Sequence, residues 1–110
     1  MKVLVIWKAL VSEVYHKRFK ELARLKDVEL AIIVPAKWQK TRLEKKYCNE
    51  YKIISRKVIF NGFNHFHWYP GLAKVVRQIR PDIIHIEEEH YSFVTHQAIR
   101  LAKRYNAKCL

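Results

Sequence analysis

Lys2-Val3-Leu4-Val5-Ile6-Trp7 is a nearly unbroken apolar and β-branched run at the amino terminus. A strand with one wet face alternates apolar and polar residues. A run without alternation suits a strand covered on both faces, as in parallel sheets flanked by helices. The sequence then changes period: from Ser12, placed to cap a helix, Tyr15, Phe19, Leu22 and Ala23 recur at three- and four-residue steps. A strand followed by an amphipathic helix is the opening unit of an α/β chain.

The same alternation continues outward from that unit. Val28 to Val34 reads as a second buried strand closed by Pro35, and Tyr51 to Phe60 as a third, longer and more polar, as expected nearer a sheet edge. Between them, Lys37 to Tyr47 is at best weakly helical, with Trp38, Leu43 and Tyr47 as its large apolar residues. Pro70 suits the first turn of a helix carrying Leu72, Val75, Val76 and Ile79, which Arg80-Pro81 ends. Asp82 to Glu87 is a fourth strand. Ser92 caps a helix with Val94, Ala98, Leu101, Ala102 and Tyr105 on one stripe, and Ala107 to Leu110 begins a fifth strand.

Strands alternating with helices predict a single α/β domain over residues 1–110, a Rossmann-like doubly wound parallel sheet of order 3-2-1-4-5. In that order the winding reverses between strands one and four. The crevice above their carboxyl ends is where such sheets bind ligands, so the loops Trp7 to Val11 and Glu87 to Ser92 are the ones to inspect.

The first loop, Trp7-Lys8-Ala9-Leu10-Val11, has none of the glycines that let a backbone approach a pyrophosphate, so neither a dinucleotide fingerprint nor a P-loop is present, and no cofactor is implied. The second holds Glu87-Glu88-Glu89-His90. Three adjacent carboxylates at the end of a buried strand repel one another and call for compensation. One reading puts a carboxylate in the crevice, hydrogen-bonding hydroxyls of a ligand, with others facing solvent or Lys8. The other has the run begin a solvated loop and favour the positive end of the next helix.

Composition narrows the function classes. The chain has 110 residues and a formal charge of +12, with half of its residues hydrophobic in short blocks. It holds no apolar run of the roughly 20 residues needed to cross a bilayer, and the expected location is cytoplasmic, with contact at the inner membrane face an option. The positive charge concentrates at Lys37, Lys40, Arg42, Lys45, Lys46, Lys52, Arg56 and Lys57, opposed by Glu44 and Glu50. That face is either simply solvated or a patch for anionic lipid or nucleic acid. Cys48 and Cys109 form no recognisable framework. The six histidines match no ligand spacing, so no metal is expected; His85, flanked by Ile84 and Ile86, reads as a hydrogen-bonded core residue. Phe60, Phe63, Phe66 and Trp68 read as packing, with stacking on a sugar or base as the alternative.

Three stretches, taken in order, resemble the family 4 glycosyltransferases, retaining enzymes of GT-B fold. Met1-Lys2-Val3-Leu4-Val5-Ile6 looks like their first strand. Ala9-Leu10-Val11-Ser12-Glu13-Val14-Tyr15-His16-Lys17-Arg18-Phe19 resembles the following loop and helix of one bacterial and archaeal subgroup. Pro81-Asp82-Ile83-Ile84-His85-Ile86-Glu87-Glu88-Glu89 is similar to that subgroup's fourth strand. The resemblance implies the acceptor-side first domain of such an enzyme, cut within strand five and inactive alone. Lys8, Ala9, Leu10, Glu87, Glu88, Glu89, His90 and Tyr91 would then face the interdomain cleft. The nucleotide-sugar donor, the basic pair that stabilises its diphosphate and the acidic E-x7-E element belong to the family's second domain. Glu13 and Glu21 have that spacing but lie in or beside the first helix. The partners implied are a chain supplying the second domain or, through an unfinished fifth strand, a second copy.

Overall fold

The computed structural model describes residues 1–44, 48–63 and 65–110. In chain order the elements are β1 (Lys2–Ile6), two 3-10 turns (Lys8–Val11 and Glu13–His16), α1 (Lys17–Ala23), β2 (Glu29–Pro35), β3 (Lys37–Trp38), β4 (Thr41–Arg42), β5 (Lys52–Arg56), α2 (Leu72–Ile79), β6 (Ile83–Ile86), α3 (Phe93–Arg104) and β7 (Lys108–Cys109). β3 and β4 pair as a small antiparallel hairpin. The other strands form one sheet in the order β5-β2-β1-β6-β7, every neighbouring pair parallel.

β1 lies at the centre, and its side chains divide between two cores. Leu4 and Ile6 join Ala31 and Ile33 of β2, Ile84 of β6 and the inner faces of α2 and α3, including Leu72, Val76, Val94 and Ala98. Val3 and Val5 join Leu30, Ile32 and Val34 on the opposite face, beneath Leu10, Val11 and Phe19. Because both faces are covered, neither β1 nor β2 can afford a polar position inside the strand, which is why the run Lys2 to Trp7 shows no alternation. Each fully buried Leu or Ile contributes about 1.5–3 kcal/mol of transfer free energy. The result is an α/β architecture with helices on both faces, consistent with a Rossmann-like arrangement.

Local chemistry sets the helix ends. Ser92 caps α3, its side chain accepting the Thr95 amide N–H. At the other end Asn106, in the left-handed region at φ 58°, lets the Ala107 amide return to the Ala102 carbonyl at 2.8 Å. That is a Schellman closure with Asn in the place glycine usually takes. Arg80, also left-handed at φ 53°, stops α2 ahead of Pro81.

Several sequence expectations are corrected. α1 begins at Lys17 and not at Ser12, whose side chain makes no cap bond. The 3-10 turns before it rotate the chain, so that His16 faces inward and Tyr15 is exposed against Trp7. The stretch from Lys37 to Arg42 is a hairpin and not a weak helix. Gln39 at φ 53° makes the turn, and Trp38 and Leu43 are driven into the core beside Leu10. The third strand ends at Arg56, four residues early, on the sheet edge. His85 is no core histidine: its side chain is 34% exposed, because it lies on the face of β6 that α1 covers only in part.

Candidate functional site

The site grows directly from strand register. Ile6 of β1 pairs with Ile86 of β6, and the Glu87 amide donates to the Ile6 carbonyl at 3.0 Å, extending the ladder by one step. Two residues beyond the pair, Lys8 and Glu88 come side by side. Alternation along β6 continues into the acidic run and separates its members. Ile84 and Ile86 face α2 and α3, and Glu88 follows them; His85 faces α1, and Glu87 follows it.

The Glu88 side chain is fully buried and doubly held by one residue. The Lys8 amide donates to Oε2 at 2.8 Å and the Lys8 ammonium to Oε1 at 2.5 Å. His67 Nε2 lies 3.6 Å from Oε2, while its Nδ1 meets the Phe63 carbonyl at 3.2 Å. Burial works against the charged form of this carboxyl, but the neighbouring His67 ring and the hydrogen bonds and charge of Lys8 outweigh it and hold Glu88 below the ordinary carboxylate value. Trp38 closes the group: its ring lies 5.7 Å from the Lys8 ammonium and packs edge-on against His67 at 4.7 Å. Beneath it, Tyr69 is completely buried and its hydroxyl has no hydrogen-bond partner among the described residues. Burial first, and the Glu88 charge second, push its phenol well above the ordinary value.

Glu87 belongs to a separate and wetter cluster. It accepts from Arg18 at 2.9 Å and from His85 at 2.8 Å, and these three residues edge a largely apolar groove of about 390 Å³ that also includes Phe19, Ile83 and Leu110. Glu89 is 38% exposed, with Oε2 3.8 Å from the Lys8 ammonium. His90 and Tyr91 are exposed, with their rings 5.0 Å apart.

The structure thus brings Lys8, Glu88 and Glu89 together, leaves half-buried Ala9 and exposed His90 and Tyr91 in the flanking loops, and sets Glu87 on the other face of the sheet. Leu10 is fully buried and packs the core beneath the loop. Lys37, Lys40 and Arg42 are exposed on the hairpin; Lys45 and Lys46 lie outside the described residues. Sequence reasoning missed His67, Trp38 and Tyr69, which come from segments it treated as packing or weak helix. It also missed His16, completely buried between the Leu10 carbonyl (2.7 Å) and the Tyr51 hydroxyl (2.5 Å), which fixes the loop that carries Lys8.

Among the described residues no group of His, Cys, Asp and Glu is arranged to hold a metal ion, and no helix is long and apolar enough to cross a membrane. No protein-family model, curated protein or solved structure matches the chain.

With each oxygen accepting from Lys8, the Glu88 carboxylate orients a cation. The groups left to meet a ligand are the outer side of the Lys8 ammonium, 16% exposed, the Glu89 carboxylate, and the His90 and Tyr91 side chains. A fixed cation beside a partly exposed carboxylate suits a ligand rich in hydroxyl groups, which both donates and accepts.

Proposed function

We propose that this chain forms the acceptor-side wall of a sugar-transferring cleft, in the manner of a retaining GT-B glycosyltransferase whose nucleotide-sugar donor is held by a separate unit. The reading rests on one observation: the Lys8 to Glu88 link at the reversal between β1 and β6, with Glu89 beside it and exposed His90 and Tyr91 next in the chain. Sheets of this kind place ligands there. The glycine-free loop after β1 speaks against a pyrophosphate in this half, in keeping with a donor bound elsewhere. In this reading Glu88 positions Lys8, and Lys8 and Glu89 hold hydroxyl groups of the acceptor.

Titration of the isotope-labelled chain with neutral saccharides, and separately with nucleotide sugars, tests the reading by amide NMR. Saccharides should shift the amides of Lys8 and Glu87 to Tyr91, and Glu89→Gln should weaken the effect. The absence of any shift there with every saccharide, or efficient nucleotide-sugar turnover by the chain alone, would sink it.

A further inference from the structure

Four phenylalanines protrude near one another. Phe60, Phe63, Phe66 and Phe93 are 56%, 59%, 51% and 47% exposed. Phe60 packs edge-to-face on Phe63 at 6.3 Å and Phe66 on Phe93 at 5.3 Å, and the Phe93 amide donates to the His65 carbonyl at 2.9 Å, tying the loop to the start of α3. The patch continues into a mainly apolar groove of about 570 Å³ lined by Trp68, Ala73, Phe93, His96, Arg100 and others. Phe60 itself sits at φ 59°, a conformation bulky side chains rarely adopt, and yet its ring stays exposed. Contiguous exposed apolar surface of this kind marks a contact site.

The chemistry of the surroundings indicates what is contacted. Asn61 fastens the aromatic loop to the basic hairpin, accepting the Gln39 amide at 2.6 Å and donating to the Lys37 carbonyl at 3.0 Å. Gly62, at φ 92°, lets the loop lie close to Gln39, where an added Cβ would stand 3.4 Å from its Cγ. Exposed Lys37, Lys40 and Arg42 are therefore carried next to the phenylalanines, and Arg100 edges the groove beyond them, in a chain of net charge +12.

We propose that Phe60, Phe63, Phe66 and Phe93, together with the hairpin cations, form a surface that docks on an anionic lipid bilayer. The rings enter the headgroup region and Lys37, Lys40 and Arg42 meet lipid phosphates. Single-stranded nucleic acid is the weaker fit. Edge-to-face pairing covers one ring face in each pair, which leaves fewer faces on which successive bases could stack. The inference does not depend on the transferase reading.

Vesicle co-sedimentation tests it, with phosphatidylcholine alone and with phosphatidylcholine mixed with phosphatidylglycerol. The chain should bind the anionic vesicles at least about tenfold more tightly, each surface lysine adding to the attraction. Charge reversal at Lys37 and Lys40 should weaken binding, and so should F60S with F63S, whose exposed positions leave both cores intact. In the unsubstituted chain, anionic vesicles should slow hydrogen exchange at residues 60–63. Failure to bind anionic vesicles, binding that survives both sets of substitutions, or unchanged exchange at residues 60–63 overturns the proposal. So does tight binding of a single-stranded oligonucleotide without vesicle binding.

Discussion

Lys8 donates twice to Glu88, once from its backbone amide and once from its ammonium, so a single residue both neutralises a buried carboxylate and engages each of its two oxygens. Removing the cation leaves that charge buried beside the amide, His67 and the Tyr69 phenol. Lys8→Met should therefore destabilise the fold by about 3 kcal/mol, and Glu88→Gln by less, about 1–2 kcal/mol, because the amide is neutral and keeps an acceptor for Lys8. Urea unfolding measures both. A Lys8→Met cost below that of Glu88→Gln would contradict this account.

The same pair predicts an acid-dependent term. Glu88 has its folded-state value held below the ordinary one, so its contribution is fully present above the unfolded carboxylate value of about 4.3 and is lost as pH falls through the lower folded value. Stability measured across that acid window should decline in the native sequence and decline less in Glu88→Gln. Parallel curves would show that Glu88 does not titrate with unfolding.

Two buried tyrosines should respond oppositely to loss of the hydroxyl. His16 Nε2 faces the Leu10 carbonyl and must donate to it, leaving Nδ1 to accept from the Tyr51 hydroxyl. Tyr51→Phe breaks that bond and should cost about 1 kcal/mol. The Tyr69 hydroxyl has no partner among the described residues, so Tyr69→Phe removes an unsatisfied buried group and should be neutral or stabilising by about 1 kcal/mol. Burial raises both phenols, Tyr51 further through Cys48, Glu50 and Glu13 and Tyr69 through Glu88. A raised folded value means stability present below the unfolded value of about 10 and lost as pH climbs toward the folded one. Each Phe variant should flatten the alkaline decline in thermal midpoint, and a Tyr69→Phe protein clearly less stable at neutral pH would refute the unpartnered assignment.

The parts of this molecule that repeat a period were legible in its sequence. The apolar runs of β1 and β2, the stripes of α2 and α3 and the Ser92 cap all fall where propensity and burial agree. The facing of Lys8 and the acidic run follows from strand order, and strand alternation explains why Glu88 rather than Glu87 is the partner. What could not be read depended on tertiary contacts. Trp38 is in a hairpin because the core beside Leu10 accepts its ring, and nothing in the local spacing states that. Tyr15 has the helical spacing to Phe19, yet the 3-10 turns, held by the His16 bonds, turn His16 inward in its place. Alternation of His85 with two isoleucines suggested burial, but the half-open face of β6 leaves it wet.

The second acidic cluster shows how solvent divides otherwise similar pairs. Arg18 and Glu87 are 2.9 Å apart, about as close as Lys8 and Glu88, but their side chains are 59% and 27% exposed. Water screens them and ordering the long arginine offsets part of the attraction, so Arg18→Ala should change stability by under about 1 kcal/mol, some of it from lost packing on Trp7 and Phe19. A denaturation midpoint shifted as far as that of Lys8→Met would mean the cluster is drier than its exposure indicates.

The geometry of the acidic loop depends on Ser92, which is fully buried at the start of α3. Its hydroxyl lies 2.9 Å from Thr95 Oγ1 and accepts the Thr95 amide at 3.3 Å, while Thr95 Oγ1 donates back to the Glu89 carbonyl at 2.7 Å. The cap is thus linked through Thr95 to the backbone of the residue beside Lys8. Ser92→Ala should cost about 1 kcal/mol as a lost cap, and Thr95→Val should cost a comparable amount while freeing the Glu89 carbonyl. Both should speed amide exchange across residues 88–92 before they affect β1, because the helix end frays locally while the sheet stays paired. Uniform acceleration over the whole sheet in Ser92→Ala would show instead that the cap supports global stability alone and leaves the loop to hold itself.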